Sequence, residues 1–127
     1  MLIKYILYES ENLEMGASIV YKNRIYSPGR AGIRKRVMNP ELLSAIVVAF
    51  HNNKPVGCIT LDKHPIKRKK EYYQVVNTWI KPKYRRKGIG KNLLSVIDDK
   101  ADFLVAGYAT PDGRSFYNNM SIKCMEF

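Results

Sequence analysis

The sequence predicts an α/β domain in which a largely antiparallel sheet carries flanking helices and contains one parallel step between strands. Three observations lead to this fold class. Several short runs are rich in β-branched and aromatic residues, two of them are joined by a short turn, and another is followed by an amphipathic helix and a further strand. At 127 residues, the chain fits a single domain over residues 1–127, long enough to bury a hydrophobic core without disulfides or metals.

The first half of the chain predicts a strand, a short helix and a hairpin. In order, these elements are a strand over 2–9, a short helix within 11–26, a loop over 27–32, a turn or short helical start over 39–43, a strand over Ser44–Phe50, a turn over His51–Lys54 and a strand over Val56–Leu61. The helix follows from apolar residues near helical spacing between Leu13 and Tyr21, although Gly16 disfavours it. The two strands around the turn predict an antiparallel hairpin.

The second half predicts alternating strands and helices. In order, these are a basic loop over 64–70, a strand over Tyr72–Ile80, a helix over Gly88–Lys100, a strand over 102–109, a helix within 110–120 and a last strand over 121–127. Pro82 ends the first of these strands because it cannot continue a ladder. One face of the first helix carries Ile89, Leu93, Val96 and Ile97. Thr110 is a plausible cap for the last helix, with Pro111 at its first position.

Composition excludes several classes of protein. The hydrophobic fraction of 46% and the charged fraction of 26% are those of an ordinary soluble globular protein. No apolar run approaches the roughly 20 residues of a membrane span. The N-terminal residues show neither a basic n-region nor a small-residue cleavage site, so we expect no signal peptide and a cytoplasmic protein. Cys58 and Cys124 lie in strand-like runs without metal-ligand spacing, which predicts two buried, reduced thiols and no metal site.

The net charge of +11 is concentrated in three blocks. They are Lys22, Arg24, Arg30, Arg34, Lys35 and Arg36; then Lys63, Lys67, Arg68, Lys69 and Lys70; then Lys81, Lys83, Arg85, Arg86, Lys87 and Lys91. Such blocks predict an acidic partner: a phosphorylated cofactor, a nucleic acid or an acidic protein face. The first two blocks fit a merely solvated surface equally well. Nucleic acid is disfavoured because the chain lacks a clear helix-turn-helix or aromatic RNA-binding signature.

The third block surrounds two glycines where a strand passes into a helix, in the stretch YRRKGIGK. Unpaired backbone N–H groups and the helix dipole make such a helix start an anion site. Glycine allows close approach of the backbone, and the cations neutralise phosphate charge. The stretch therefore predicts a diphosphate cradle. It is not a P-loop, and it is not a dinucleotide fingerprint because Leu93 stands where GxGxxG needs glycine.

The wider pattern resembles the acyl-CoA signature of the GCN5-related N-acetyltransferase (GNAT) superfamily. That signature, Arg/Gln-x-x-Gly-x-Gly/Ala, stands here as Arg85, Gly88 and Gly90, after a strand and before an amphipathic helix. A second motif, RSFYNNMSIKCMEF, matches the Phe-Tyr helix and strand that end many members. The resemblance covers roughly residues 44–127. It implies a small, GNAT-like mixed and mostly antiparallel sheet with flanking helices, whose two central strands splay apart.

The resemblance also implies roles for individual residues. Backbone amides from Arg86 to Lys91, including those of Gly88, Ile89 and Gly90, would hold the pyrophosphate of acetyl-CoA, and Arg85, Arg86, Lys87 and Lys91 would add positive charge. The strand at Trp79 and Ile80 would pair through its backbone with the pantetheine arm. Tyr117 would protonate the departing thiolate, a task that suits a neutral phenol, although it could also be a core aromatic. Thr110 stands near the start of the last helix, where the family usually has asparagine.

Departures from the family concern the general base and the last strand. Gln74 stands where many relatives have a glutamate, and glutamine cannot take a proton. Asn77 is either a residue that positions a water or the acceptor amine, or an outward-facing strand residue. Remote bases acting through water would be Glu71, Asp62, His51 or His64, and the amine can also lose its proton to solvent. Many relatives add a strand beyond the position of Phe127, so a bare sheet edge favours a homodimer or a minimal form of the fold.

The leading hypothesis is therefore an N-acetyltransferase that moves the acetyl group of acetyl-CoA to an amine by direct attack. The acceptor would be a protein lysine, a protein N-terminus or a small-molecule amine, on a partner with an acidic face if the basic blocks take part. One alternative is a catalytically weak binding module with the same fold, which the glutamine at position 74 favours. Another is a basic protein that binds nucleic acid or an acidic protein.

Overall fold

The computed structural model of the chain describes residues 1–26, 45–65, 71–98, 104–106, 115 and 123–124. Its elements are β1 (Ile3–Glu9), α1 (Leu13–Lys22), β2 (Ala45–His51), β3 (Lys54–Pro65), β4 (Glu71–Ile80), α2 (Ile89–Asp98), β5 (Leu104–Ala106) and β6 (Lys123–Cys124). Short 3₁₀ turns at Ser10–Asn12 and Pro82–Tyr84 precede the two helices. The predicted strands and helices within these ranges are confirmed, with bounds that differ by a few residues.

The structure extends β3 beyond its predicted end and describes only one residue of the predicted last helix. The prediction that β3 ends at Leu61 and that a loop begins at His64 is wrong, because β3 stays paired with β4 as far as Pro65 opposite Glu71. Ser115 is helical, while the rest of the helix predicted over 110–120 lies outside the described residues. So do the predicted loop over 27–32, the predicted turn over 39–43 and residues 66–70.

The described strands form one mixed sheet in the order β1-β2-β3-β4-β5-β6. The first four are antiparallel neighbours, and β5 is parallel to β4. The sequence predicted only this one parallel step, but β6 also pairs parallel with β5. Parallel neighbours need a crossover of a dozen or more residues, and the segment 107–122 is long enough to provide it.

In the part of the chain that the structure describes, the sheet is buried on both faces, with α2 on one and α1 on the other. The core under α2 contains Ala45, Val47, Ala49, Val56, Ile59, Leu61, Val75, Ile89, Leu93, Leu94 and Ile97, and this side is called the α2 face. The core under α1 contains Tyr8, Ala17, Val20, Ile25, Ile46, Val48 and Cys58, and this side is called the α1 face. Fully burying a Val, Leu or Ile side chain stabilises a fold by about 1.5–3 kcal/mol, so these two clusters supply most of the driving force.

Gly16 explains how α1 lies so close to the sheet. A Cβ at this position would stand 2.6 Å from the Cβ atom of Tyr8, closer than such atoms can approach. Glycine has a low intrinsic helix propensity, but its missing side chain permits the contact between α1 and β1. The feature that disfavoured the helix in the sequence is the one that lets the helix pack.

The β2–β3 hairpin closes with a two-residue turn. Asn52 and Asn53 both have positive φ angles, 51° and 64°, between the paired residues His51 and Lys54. Two left-handed central residues define a type I′ turn, whose twist matches that of the strands. Asparagine tolerates this conformation better than most residues, so the dipeptide fixes the register of the hairpin.

Within the described ranges, no helix is both long and apolar enough to cross a bilayer. The assignment of residues 1–127 to a single domain stays a prediction.

Candidate active site

The start of α2 has the geometry of an anion-binding cradle. The first helical hydrogen bond runs from the amide of Asn92 to the carbonyl of Gly88, at 3.1 Å. The amides of Ile89, Gly90 and Lys91 therefore precede the first donor of the helix and have no acceptor inside it. They point out of the helix start, where the dipole adds partial positive charge.

The turn before α2 leaves space in front of these amides. Arg86 and Gly88 have positive φ angles of 61° and 80°, and left-handed residues in such a turn direct successive N–H groups into one concavity. A Cβ built on Gly88 would meet no atom within 4 Å. This open space and the outward amides fit the diphosphate of CoA, with Arg86, Lys87 and Lys91 exposed around it.

Arg85 joins the cradle to the end of β4. Its Nε donates a hydrogen bond of 2.9 Å to the carbonyl oxygen of Ile80. Its guanidinium carbon lies 4.5 Å from the centroid of the Trp79 ring, a cation–π contact. The residue was predicted to contribute charge, and the structure gives it this second task of holding the turn against the strand.

A second contact anchors the same turn from the other side. The Nδ1 atom of His51 and the hydroxyl of Tyr84 lie 2.8 Å apart, and the two rings meet edge to face with centroids 5.4 Å apart. The Nζ atom of Lys83 lies 5.5 Å from the centroid of the tyrosine ring. His51 was one candidate for a remote base, but its contact places it as a support for the turn. The contact could not be predicted from the sequence, because 33 positions separate the two residues and no local pattern links them.

The described part of β5 pairs with the first half of β4. The described pairs between these strands run only from Tyr73 to Val75, the last being Val75 with Ala106. The amide of Lys81 donates to the carbonyl of Val56 on β3 at 2.9 Å. Because the direction of backbone groups alternates along a strand, the backbone groups of Asn77 and Trp79 also point to β3.

It follows that the backbone groups of Thr78 and Ile80 point to the opposite edge, away from β3. The carbonyl of Ile80 does so, since it receives the Arg85 hydrogen bond there. The pair of residues expected to meet the pantetheine arm was Trp79 and Ile80. The register instead makes Thr78 and Ile80 the two whose backbone faces that edge, and it turns the Trp79 ring to the α1 face.

A β-bulge interrupts the pairing of β4 with β3. Asn77 pairs with Thr60 and Val75 pairs with Leu61, so Val76 is an extra residue on β4. Such an insertion bends the strand and increases its twist. Such a bend would favour the splaying of β4 from β5 that the family resemblance implies, and this splaying stays a prediction.

Asn77 is buried on the α1 face. It is 4% exposed, so the alternative of an outward-facing strand residue is wrong. Its Nδ2 donates to the Sγ of Cys58 at 3.8 Å, and the Cys58 thiol donates to the carbonyl of Ile25 at 3.0 Å. A role in positioning a water or the acceptor amine stays a prediction.

Cys58 is a structural thiol rather than a nucleophile. Burial raises the pKa of its thiol to about 12, although the Asn77 hydrogen bond acts in the opposite direction. The thiolate is the reactive form, so this sulfur is inert near neutral pH. The predicted buried, reduced thiol is confirmed for this residue, while nothing is described of the Cys124 side chain.

The remaining candidate residues fall into two groups. Asp62 is buried, and its backbone lies opposite Gln74 on the neighbouring strand. Residues whose backbone lies on β3 or β4 but whose side chains are not described are His64, Glu71 and Gln74. Tyr117 and Thr110 lie outside the described residues. Among the residues that the structure places, no group of three or more His, Cys, Asp or Glu side chains could hold a metal ion.

Comparison with known proteins places this geometry in a family. The sequence profile of the Acetyltransferase (GNAT) family matches residues 12–109. Among curated proteins, no sequence matches the chain.

Solved structures show the same fold. A ribosomal-protein-alanine N-acetyltransferase from Brucella melitensis biovar Abortus 2308 is 21% identical with a TM-score of 0.72, covering 99% of this chain and 94% of that one. An aminoglycoside N-acetyltransferase in complex with CoA is 9% identical with a TM-score of 0.67, covering 100% and 93%. A predicted acetyltransferase with acetyl-CoA from Clostridium acetobutylicum is 16% identical with a TM-score of 0.62, covering 98% and 92%.

Proposed function

The chain belongs to the acetyltransferase (GNAT) family and is an acetyl-CoA-dependent N-acetyltransferase, and we propose that the acceptor amine attacks the thioester directly at the edge of β4 that faces away from β3. The observation that carries the proposal is the cradle at the start of α2. Its outward amides and the empty space at Gly88 suit a diphosphate, and β4 leads from this cradle to the bulge at Val76.

The residues would divide the work by position. The amides of Ile89 to Lys91 would hold the diphosphate, with Arg86, Lys87 and Lys91 neutralising its charge. The backbone of Ile80 would pair with the pantetheine arm as a further strand would. This pairing would place the thioester beside the bulge, where β4 is proposed to splay from β5.

The chemical step forms a C–N bond and breaks the C–S bond. The acceptor nitrogen attacks the thioester carbon, loses one proton to a base or to solvent, and CoA leaves as its thiol. Tyr117 is proposed to donate the proton to the departing sulfur, since a phenol is neutral near pH 7. Orientation of the two reactants, rather than a covalent intermediate on the protein, would provide most of the rate acceleration.

The acceptor is proposed to be an amine on a polypeptide rather than an aminoglycoside. Two structural neighbours are named for a ribosomal-protein alanine and for aminoglycosides. Aminoglycosides are polycations, and a chain with a net charge of +11 repels them at long range. A protein N-terminus or lysine beside acidic residues fits this charge better.

The proposal is tested by acetyl-CoA-dependent release of free CoA with panels of peptides and small amines. We expect release with at least one peptide amine and confirmation of the acetylated product by mass spectrometry. The binding-module alternative predicts acetyl-CoA binding without release for every amine. A cytoplasmic location, a homodimer and nucleic-acid binding stay predictions from the sequence.

A further inference from the structure

The C-terminal end of α1 borders a cavity of about 430 Å³, whose lining includes the described residues Tyr21, Lys22, Arg24 and Tyr26. We propose that this cavity binds the carboxylates of an acidic segment next to the acceptor amine, and so selects acidic peptides as substrates. The proposal rests on the acetyltransferase function above. The cavity is called the α1 pocket below.

The backbone around the pocket is a well-formed helix end. The amide of Ile25 donates to the carbonyl of Val20 at 3.1 Å, and the amide of Arg24 donates to that of Tyr21 at 3.2 Å. These two bonds define a Schellman motif. Val20 and Ile25 are both fully buried and supply its usual hydrophobic contact.

Arg24 is the unusual residue in this motif. It has a φ angle of 53° at the position that glycine normally occupies. The backbone of a residue that has a Cβ atom is strained in this conformation. A glycine would relieve the strain but would remove the guanidinium from the pocket, so the strained choice indicates a role for the charged side chain.

The pocket lies on the same face as the proposed transfer site. Ile25, adjacent to Arg24, accepts the hydrogen bond from Cys58 on β3. Cys58 is the direct partner of Trp79 on β4, and Tyr26 and Trp79 pack against the same core cluster. Neighbouring strands lie roughly 4.8 Å apart. A peptide bound in the pocket would therefore cross β3 within a few residues and reach the edge of β4 that faces away from β3.

The chemistry of the lining favours a short acidic peptide. Lys22 and Arg24 are exposed cations that can hold carboxylates by charge-assisted hydrogen bonds. Tyr21 and Tyr26 add aromatic surface and hydroxyl donors, which are typical of peptide recognition. Among the described residues, two cations line the pocket, which matches the one or two carboxylates of a short acidic segment.

The test compares matched acceptor peptides. One carries aspartate and glutamate next to its N-terminal amine, and its twin carries asparagine and glutamine instead. We expect the acidic peptide to have roughly tenfold lower KM, the change expected from one charge-assisted hydrogen bond. We also expect direct calorimetric binding of the acidic peptide that weakens with salt.

The decisive variant is Arg24→Gly. Glycine suits the left-handed position, so the variant should fold with an equal or higher Tm, yet it should lose most of the preference for the acidic peptide. Lys22→Gln should reduce the preference as well. Lys4→Gln removes the same charge from exposed β1 and should leave the preference unchanged.

Three results separate the possible failures. Equal use of both peptides, or an unchanged preference in a well-folded Arg24→Gly protein, would overturn the proposed pocket. Competition by a single-stranded RNA oligonucleotide that depends on Lys22 and Arg24 would assign the pocket to nucleic acid instead and also overturn it. Tight, Arg24-dependent binding of the acidic peptide without any acetyl transfer would support the pocket and refute the proposed function.

Discussion

Val75 and Asn77 stand two positions apart on β4, but their side chains are buried on opposite faces of the sheet. Val75 lies in the core under α2, and Asn77 contacts Cys58 under α1. In a regular strand, residues two apart share a face. The extra residue, Val76, resets the alternation and bends β4. The proposed thioester site is thus located by one inserted residue.

Deleting Val76 tests this role of the bulge. The register on either side of the bulge would be unchanged, so Val75 and Asn77 would keep their faces in a strand that is now regular. We expect the variant to fold, but to lose most acetyl transfer because a straighter β4 would remain paired with β5. Circular dichroism and CoA release measure the two effects.

The matched control is deletion of Thr78, which lies in the regular part of β4. Here the loss of one residue would turn either Asn77 or Trp79 to the wrong face, because side-chain direction has a period of two. We expect this protein to unfold or to lose much of its Tm. A Val76 deletion that unfolds as completely as the Thr78 deletion would contradict the assigned role of the bulge.

Gly88→Asp tests the cradle. The position is open but has a positive φ angle, so a side chain would project into the space proposed for the diphosphate, and a carboxylate would repel it. Gly88→Asn is the matched control, since asparagine has the same shape, tolerates this backbone and carries no charge. We expect calorimetry to show weaker acetyl-CoA binding in both variants, with a much larger loss for aspartate. Equal loss in the two variants would mean that the position is not near the phosphates.

Arg85→Lys separates charge from geometry. Lysine keeps the positive charge but cannot reproduce the planar contact with Trp79 or the Nε hydrogen bond to Ile80. We expect acetyl-CoA affinity to fall about two- to fivefold, which corresponds to the loss of an exposed cation–π contact. The acetyl-CoA affinity of Arg85→Gln, which also lacks the charge, should fall further. An unchanged affinity in the lysine variant would mean that this residue acts by charge alone.

The cradle could be predicted from the sequence because its parts are contiguous. Two glycines, the surrounding cations and the start of a helix all lie between Arg85 and Lys91, and the physics of a helix start depends only on local chain geometry. The same is true of the hairpin turn at Asn52 and Asn53. Hydrophobic periodicity located α2 for the same reason.

Features that depend on strand register could not be predicted. The direction of the Thr78 and Trp79 backbone groups depends on which residue of β3 each one faces, and the bulge at Val76 exists only relative to that partner strand. The left-handed conformation of Arg24 was equally inaccessible, since sequence rules place glycine at that position. These features arise from tertiary packing, which overrides local preference.

Tyr117→Phe tests the proposed proton donor. The change removes one hydroxyl and keeps the ring, so folding should be unaffected. A positioned general acid contributes about 10²–10⁴-fold, and we expect this loss in kcat with little change in acetyl-CoA affinity. Tyr5→Phe is the control, because its hydroxyl contacts Asn92 on the side of α2, and it should keep its kcat. A Tyr117→Phe enzyme with wild-type kcat would leave the sulfur to be protonated by water or by the acceptor.

The buried thiol of Cys58 predicts how stability depends on pH. Burial raises its pKa in the folded protein to about 12, from 9.0 in the reference state. The folded state thus favours the neutral thiol, and this stabilisation is complete below about pH 9 and is lost as pH rises toward 12. We expect the free energy of unfolding to fall by about 1.4 kcal/mol per pH unit in that window. The measurement is the difference between wild type and Cys58→Ala in urea, which cancels the titration of other groups; a pH-independent difference would contradict the assignment.

The most direct test of the account is a crystal structure of the protein with acetyl-CoA. We predict that the diphosphate oxygens accept hydrogen bonds from the amides of Ile89, Gly90 and Lys91, and that a pantetheine amide pairs with the backbone of Ile80 along the edge of β4 that faces away from β3. The acetyl carbon should then lie beside the bulge at Val76. A diphosphate bound away from the start of α2, or a pantetheine arm that does not follow β4, would contradict the account.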